Sequence, residues 1–237
     1  MKWSQGTEVG HIRKRNEDSI CVIPDMAFFA VADGMGGHLA GEVASRMAIE
    51  SVAAELHTAR NSGLEKRLLK GVRAANSKVY EASQKDSSCR GMGTTLTAAV
   101  IKGRDMTLAH VGDSRAYIIR GEKIFSITED HSLVQEMLKQ GGITREQARE
   151  HPHRNVLTRA LGTDPSVEVD IIKTSLEVGD YVLICSDGLT GLVEDCQIMD
   201  LVKSAPNPEQ AVRDLIKEAL RQGGNDNISV IVVEIDE

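Results

Sequence analysis

Residues Phe28 to His38 read FFAVADGMGGH, and both the fold and the chemistry of this chain turn on them. Phe28 to Ala32 are apolar or small, long enough for a buried strand, and they stop at Asp33, with glycines at 34, 36 and 37. A carboxylate at the end of a buried strand, beside glycines that let other groups approach the backbone, is poorly explained by packing. The arrangement recurs. LAHVGDS runs to Asp113 and YVLICSDG to Asp187, each an apolar run stopped at an aspartate with a glycine beside it. Three such strand ends can aim three carboxylates at one place, where negative charge is costly unless cations neutralise it. A metal site is therefore the first expectation.

Upstream, a polar stretch, VGHIRKRNEDS, leads into CVI and a turn at Pro24-Asp25, so that the Phe28 strand closes a hairpin. Downstream, Gly41 to Leu56 and Asn61 to Ser83 carry apolar residues at helical spacing and read as two amphipathic helices. From Thr94 the period changes. TTLTAAVI, MTLAHV, RAYIIR and KIFSI are short runs of strand formers with turns at Gly103 and Gly121, and such short connections permit only antiparallel pairing.

Short helices are expected over Ser132–Gln140 and, after a Thr cap, Thr144–Glu150. His131 to Asn155 as a whole is too polar for central core and reads as a mobile flap. VEVDIIK and DYVLICS return to strand, helices cover about Asp195–Ser204 and Pro208–Gln222, and SVIVVEI closes the chain as a strand. Helices arriving in pairs between antiparallel strands predict an α+β layered fold, here one domain of 237 residues without linker or repeat.

Composition narrows the function classes. Hydrophobic residues make up 41% and charged ones 27%, as in ordinary soluble domains, and only seven residues are aromatic, so the core must be aliphatic. A net charge of -7 leaves no basic excess for wrapping nucleic acid or anionic lipid, which favours a protein or small-molecule partner. No uncharged apolar run approaches the roughly 20 residues that span a bilayer. Cys21, Cys89, Cys185 and Cys196 are scattered, without a CxxC pair or a secretory leader, so reduced thiols and a cytoplasmic location are expected.

Asp18, Asp33, Asp113, Asp187 and Asp226 form a set of hard oxygen donors, each at a strand edge or beside glycine or asparagine. With neither zinc-type Cys/His spacing nor an EF-hand loop, Mg²⁺ or Mn²⁺ is the natural occupant. A single Asp-Gly is usually only a turn, and it is the recurrence that carries weight. Arg13 lies in the first polar segment and can grip a phosphate through two parallel hydrogen bonds, whereas Lys14 and Arg15 read as solvated charge. Metals plus a phosphate fork suggest phosphoester hydrolysis. Other hydrolytic and nucleotide-binding designs lack their letters: there is no CxxxxxR loop, GxSxG elbow, HExxH helix or GxxxxGK[ST] loop, and Ser186 reads as a strand-end hydroxyl rather than a nucleophile.

RKRNEDS, VADGMGGH, GMGTTLTAAV, HVGDSRAY, TEDHS, LTRALG, CSDGLTGLV and GGNDNISVIVV, in this order from Arg13 to Val233, resemble the motifs of the metal-dependent protein serine/threonine phosphatases, type 2C-like, in their bacterial form. The resemblance implies an α-β-β-α sandwich of two antiparallel sheets with a dinuclear Mn²⁺/Mg²⁺ centre at one end. By motif, Asp33 bridges the two metals, the Gly34 carbonyl binds one, and Asp187 and Asp226 hold the other. Asp18 acts mainly through water on the metals, Asp113 holds a weaker third ion with Asp187, and Arg13 binds the phosphate. The flap at about 131–155 corresponds to the family's variable segment. Water activated between the ions would attack phosphorus in line, without a covalent enzyme intermediate.

The resemblance further implies phosphorylated protein substrates, those of a serine/threonine kinase and the kinase itself, and a monomer. Where eukaryotic members have a histidine after Asp-Gly, this chain has Met35. The nearest histidine, His38, is therefore the candidate general acid, against a reading in which it opens the following helix. Two other readings stay open: a catalytically silent, phosphoprotein-binding regulatory member of the fold, and a small-molecule phosphatase with the same centre.

Overall fold

All five residues of Phe28–Ala32 are buried, with side chains alternating between two different cores. The structure, a computed structural model, describes residues 1–36, 40–58 and 63–236. Its first third comprises β1 (Lys2–Glu8), β2 (Ser19–Ile23), β3 (Phe28–Ala32), β4 (Gly34–Met35), α1 (Ala40–Thr58) and α2 (Leu64–Lys85). There follow β5 (Gly93–Thr94), β6 (Leu96–Lys102), β7 (Asp105–Val111), β8 (Arg115–Arg120), β9 (Lys123–Ser126), α3 (Leu133–Lys139) and α4 (Arg145–Glu150). The last third holds β10 (Asp170–Ser175), β11 (Tyr181–Cys185), α5 (Asp187–Thr190), α6 (Asp195–Ser204), α7 (Pro208–Arg221) and β12 (Ile228–Glu234).

Two five-stranded antiparallel sheets, ordered β1-β12-β11-β8-β9 and β10-β7-β6-β3-β2, face each other. Phe29 and Val31 point between them and meet Ala99, Ile101 and Leu108 of their own sheet and Ile118, Ile184 and Ile231 of the other. Phe28, Ala30 and Ala32 point outward to Ala48 and Val52 of α1 and Leu68 and Val72 of α2. On the far side Tyr117, Leu183 and Val230 pack against Ile198 of α6 and Val212 and Leu215 of α7. This is the expected four-layer α-β-β-α sandwich. Because helices cover the outer face of each sheet, the central strands are apolar on both faces and read as continuous runs.

The local predictions are met where turn and cap chemistry is short-range. Gly103 and Gly121 turn the β6–β7 and β8–β9 hairpins with φ of 59° and 57°. Thr144 caps α4 in a reciprocal capping box with Gln147. Three differences stand out. β1 has no sequence signal, because KWSQGTE is an exposed edge strand whose pairing with β12 is main-chain hydrogen bonding. β10 spans Asp170–Ser175 and so starts later than VEVDIIK suggests. His131 and Ser132, at the start of the polar segment, are buried rather than loose: His131 N–H donates to Gly112 O at 2.8 Å, and the Gly112 N–H donates to His131 Nδ1 at 3.0 Å.

Candidate metal centre

Register brings the aspartates together. Ser19 opposes Ala32, Leu96 opposes Val111 and Cys185 opposes Val230, so the C-terminal ends of β3, β7 and β11 and the N-terminal ends of β2 and β12 lie at one end of the sandwich. Asp33, Asp113, Asp187 and Asp226 all line one cavity of about 510 Å³ there, together with Arg13, Gly34 and Thr95. Asp18 is not in the lining; it lies beneath, buried, where Ser186 Oγ donates to its Oδ2 at 2.8 Å. His38 lies outside the described residues.

Hydrogen bonds and close packing at the main chain hold Asp33, Gly34 and Asp226. The Asp33 N–H donates to Thr95 Oγ1 at 2.9 Å, its carbonyl accepts from Thr94 Oγ1 and Thr95 N at 2.9 Å, and Thr95 Oγ1 is tied to Ser114 Oγ at 2.7 Å. Gly34 is packed so closely that a Cβ would stand 2.1 Å from Gly41 O and 2.5 Å from Glu17 O. Asp187 opens α5, and the Asn227 N–H donates to Asp226 Oδ1 at 2.8 Å.

The electrostatics call for a cation. Desolvation, then repulsion from Asp18, Asp187 and Asp113, holds Asp33 well above the usual carboxylate range. Desolvation and Asp226 raise Asp187, desolvation and Asp187 raise Asp113, and burial pushes Asp18 up to about 7 despite its serine donors. Asp18 Oδ1 and Asp187 Oδ1 are buried with no hydrogen-bond partner. An unpaired buried carboxylate oxygen costs several kcal/mol on the order-of-magnitude scale of buried charges, and a hard divalent ion is the group that satisfies an all-oxygen donor set. Among the described residues no three acidic, His or Cys side chains yet converge on a single point. Asp226 is turned instead to Arg13, whose Nη2 donates to Asp226 Oδ2 at 2.7 Å.

Comparison with known proteins decides the family, because the protein phosphatase 2C profile matches residues 6–228. The chain belongs to the protein phosphatase 2C family. It is 39% identical over 97% of its length to the serine/threonine phosphatase stp of Listeria monocytogenes, 94% of which is covered. The crystal structure of the Mycobacterium tuberculosis serine/threonine phosphatase PstP/Ppp matches with a TM-score of 0.93 at 37% identity, over 100% of this chain and 99% of that one. The catalytic domain of PstP in complex with two manganese ions matches with a TM-score of 0.91 at 36% identity, over 100% and 98%.

Within this phosphatase 2C fold the structure adds a residue that motif reading passes over. Asn227 is buried, and its side chain holds the Arg13 loop at three points: Oδ1 accepts from Glu17 N at 2.8 Å, and Nδ2 donates to Val9 O and Arg15 O at 2.9 Å. The only sequence signal is an Asp-Asn pair before the last strand. Asn227→Ala is expected to lower stability by about 2–4 kcal/mol, the sum of three part-buried hydrogen bonds, as read by urea unfolding. It should also raise KM for any phosphoryl substrate, because the loop that carries Arg13 loses its tether. An unfolding curve within about 0.5 kcal/mol of wild type would show that water replaces the amide without loss.

Proposed function

We propose that this chain hydrolyses phosphoserine and phosphothreonine in proteins, using Mn²⁺ or Mg²⁺ held by Asp33, the Gly34 carbonyl, Asp187 and Asp226. The observation that carries this reading is that four carboxylates and Arg13 line one cavity, with carboxylate oxygens of Asp18 and Asp187 buried and unpartnered. The ions would supply Lewis acidity and lower the pKa of water at the site. Asp18, oriented by Ser186, would hold water at the floor of the site, and Asp113 would serve a weaker third ion with Asp187.

Arg13 is the phosphoryl-binding group of this reading. It is half exposed, lines the cavity and is held near it by its contact with Asp226, from which a phosphoryl oxygen would draw it. Arg13→Ala is expected to lower kcat/KM about 10- to 150-fold, the equivalent of one strong charge-assisted contact of about 1.5–3 kcal/mol. An effect below about threefold in steady-state kinetics would remove Arg13 from the phosphate site.

The substrates are those of a serine/threonine kinase and the kinase itself, met in the cytoplasm by a monomer whose flap, at about 131–155, is anchored at its start by the buried His131 and Ser132. The four cysteines are unpaired, as suits a reducing compartment, and no described helix is long and apolar enough to cross a membrane. Phosphate release from phosphoserine, phosphothreonine and phosphotyrosine peptides and from a panel of small phosphate esters, with Mn²⁺ and with chelator, tests the reading. Metal-dependent turnover of the first two is expected. Turnover confined to small esters, or none with Mn²⁺ present, would overturn it in favour of a small-molecule phosphatase or a silent binding protein.

A further inference from the structure

The chain has a net charge of -7, and the cavity floor is acidic, yet three consecutive cations, Arg13, Lys14 and Arg15, stand at the cavity wall. Arg13 is ion-paired to Asp226. Lys14 and Arg15 are exposed, line the same cavity and have no ion-pair partner among the described residues. Their loop is not free to collapse onto the floor. Asn227 Nδ2 holds the Arg15 carbonyl and Asn227 Oδ1 the Glu17 N–H, while the His11 N–H donates to Gly224 O at 2.7 Å. Gly10, at φ 81°, lies where a Cβ would be 2.3 Å from Asp226 O, so the loop is clamped against the approach to the last strand.

Solvated lysine and arginine at the end of a loop would ordinarily mean nothing. Here the backbone beneath them is fixed at both ends, and they line the same cavity as Arg13. If cations neutralise the carboxylates and Arg13 meets the phosphoryl group, positive charge remains at the mouth for a second anionic group. The space is sufficient, because about 510 Å³ is in the range that takes a drug-sized ligand rather than a phosphoryl group alone.

We propose that Lys14 and Arg15 form a docking ledge that selects phosphoprotein segments carrying acidic residues beside the phosphorylated serine or threonine. The proposal rests on the phosphatase reading and adds the substrate's flanking charge to it. Two exposed apolar residues neighbour lining residues in the chain: Ile12 precedes Arg13, and Val156 lies between Asn155 and Leu157. The cations supply the selectivity, since charge complementarity at a rim discriminates between partners more than it adds affinity.

Three phosphothreonine peptides that differ only in flanking residues, Asp, Ala or Lys on both sides, test the ledge on the Mn²⁺-loaded full chain. Their kcat/KM values and the equilibrium binding of their non-hydrolysable phosphonate analogues by fluorescence anisotropy are the two readouts. The Asp-flanked peptide is expected to be favoured about fivefold or more over the Ala-flanked one in both, and the preference should shrink between 0.05 and 0.5 M salt as the exposed charges are screened. In the Lys14→Gln/Arg15→Gln variant the ratio should fall to about one, and in Lys14→Glu/Arg15→Glu the Lys-flanked peptide should become the favoured one. Thermal melting checks that both variants remain folded. A wild-type ratio of one, or a ratio that survives both variants, overturns the ledge while hydrolysis of the Ala-flanked peptide leaves the phosphatase reading standing. Absence of hydrolysis of all three peptides would overturn that reading itself.

Discussion

Asp187→Asn is expected to reduce phosphopeptide hydrolysis about 10³-fold or more while the protein remains folded. Asp187 Oδ1 is buried and unpartnered, and its carboxyl is raised by desolvation and by Asp226. Asparagine keeps the shape of the side chain but removes the negative charge. In the metal-free protein that relieves repulsion, so the melting temperature should not fall. In the presence of Mn²⁺ the variant loses an anionic ligand, and with it the electrostatic stabilisation of the transition state that such a centre supplies. The decisive pair of measurements is turnover and the rise in melting temperature on adding Mn²⁺, which should be large in wild type and small in the variant. A variant that keeps both would show that Asp187 is not a ligand.

Gly188→Ala is expected to destabilise the protein by about 3 kcal/mol or more. A Cβ at Gly188 would stand 1.9 Å from Asn227 O and 2.9 Å from its carbonyl carbon, so relief requires movement of main chain rather than of a side-chain tip. Overpacking ordinarily costs about 1–3 kcal/mol, and a clash with backbone belongs at or beyond the upper end. The movement would separate the start of α5 from the approach to β12, and with them Asp187 from Asp226. Urea unfolding should therefore show the loss of stability, and calorimetric Mn²⁺ titration should show affinity weakened by about tenfold or more. Gly63, which has nothing within 4 Å of such a Cβ among the described residues, is the control: Gly63→Ala should cost less than about 1 kcal/mol. Equal effects at the two positions would mean that the close approach of α5 to Asn227 relaxes freely.

These two glycines also mark where reading the chain stops. Sandwich strands and amphipathic helices were legible because their signals are local: continuous aliphatic runs over 4–7 residues, helical spacing in α1, α2, α6 and α7, and Gly, Thr or Asn at turns and caps. Asp33, Asp113 and Asp187 were legible for the same reason, since an apolar run ending in aspartate and glycine conflicts with packing logic and stands out against it. Asp18 and Asp226 joined them by their place at a strand edge or beside asparagine, Arg13 by its place in the first polar segment, and motif order added the Gly34 carbonyl.

By itself the amino-acid sequence determined the layer architecture, the family and the hard-donor character of the site, because each depends on residue type and on spacing along the chain. Only the tertiary structure decided the β1 edge, the depth of Asp18 below the cavity, the pairing of Arg13 with Asp226, the three-point hold of Asn227 on the Arg13 loop and the buried, unpartnered oxygens. Those facts arise between residues some 200 positions apart, brought together by strand register. A hydrogen bond or a repulsion across such a separation leaves no periodicity in the chain.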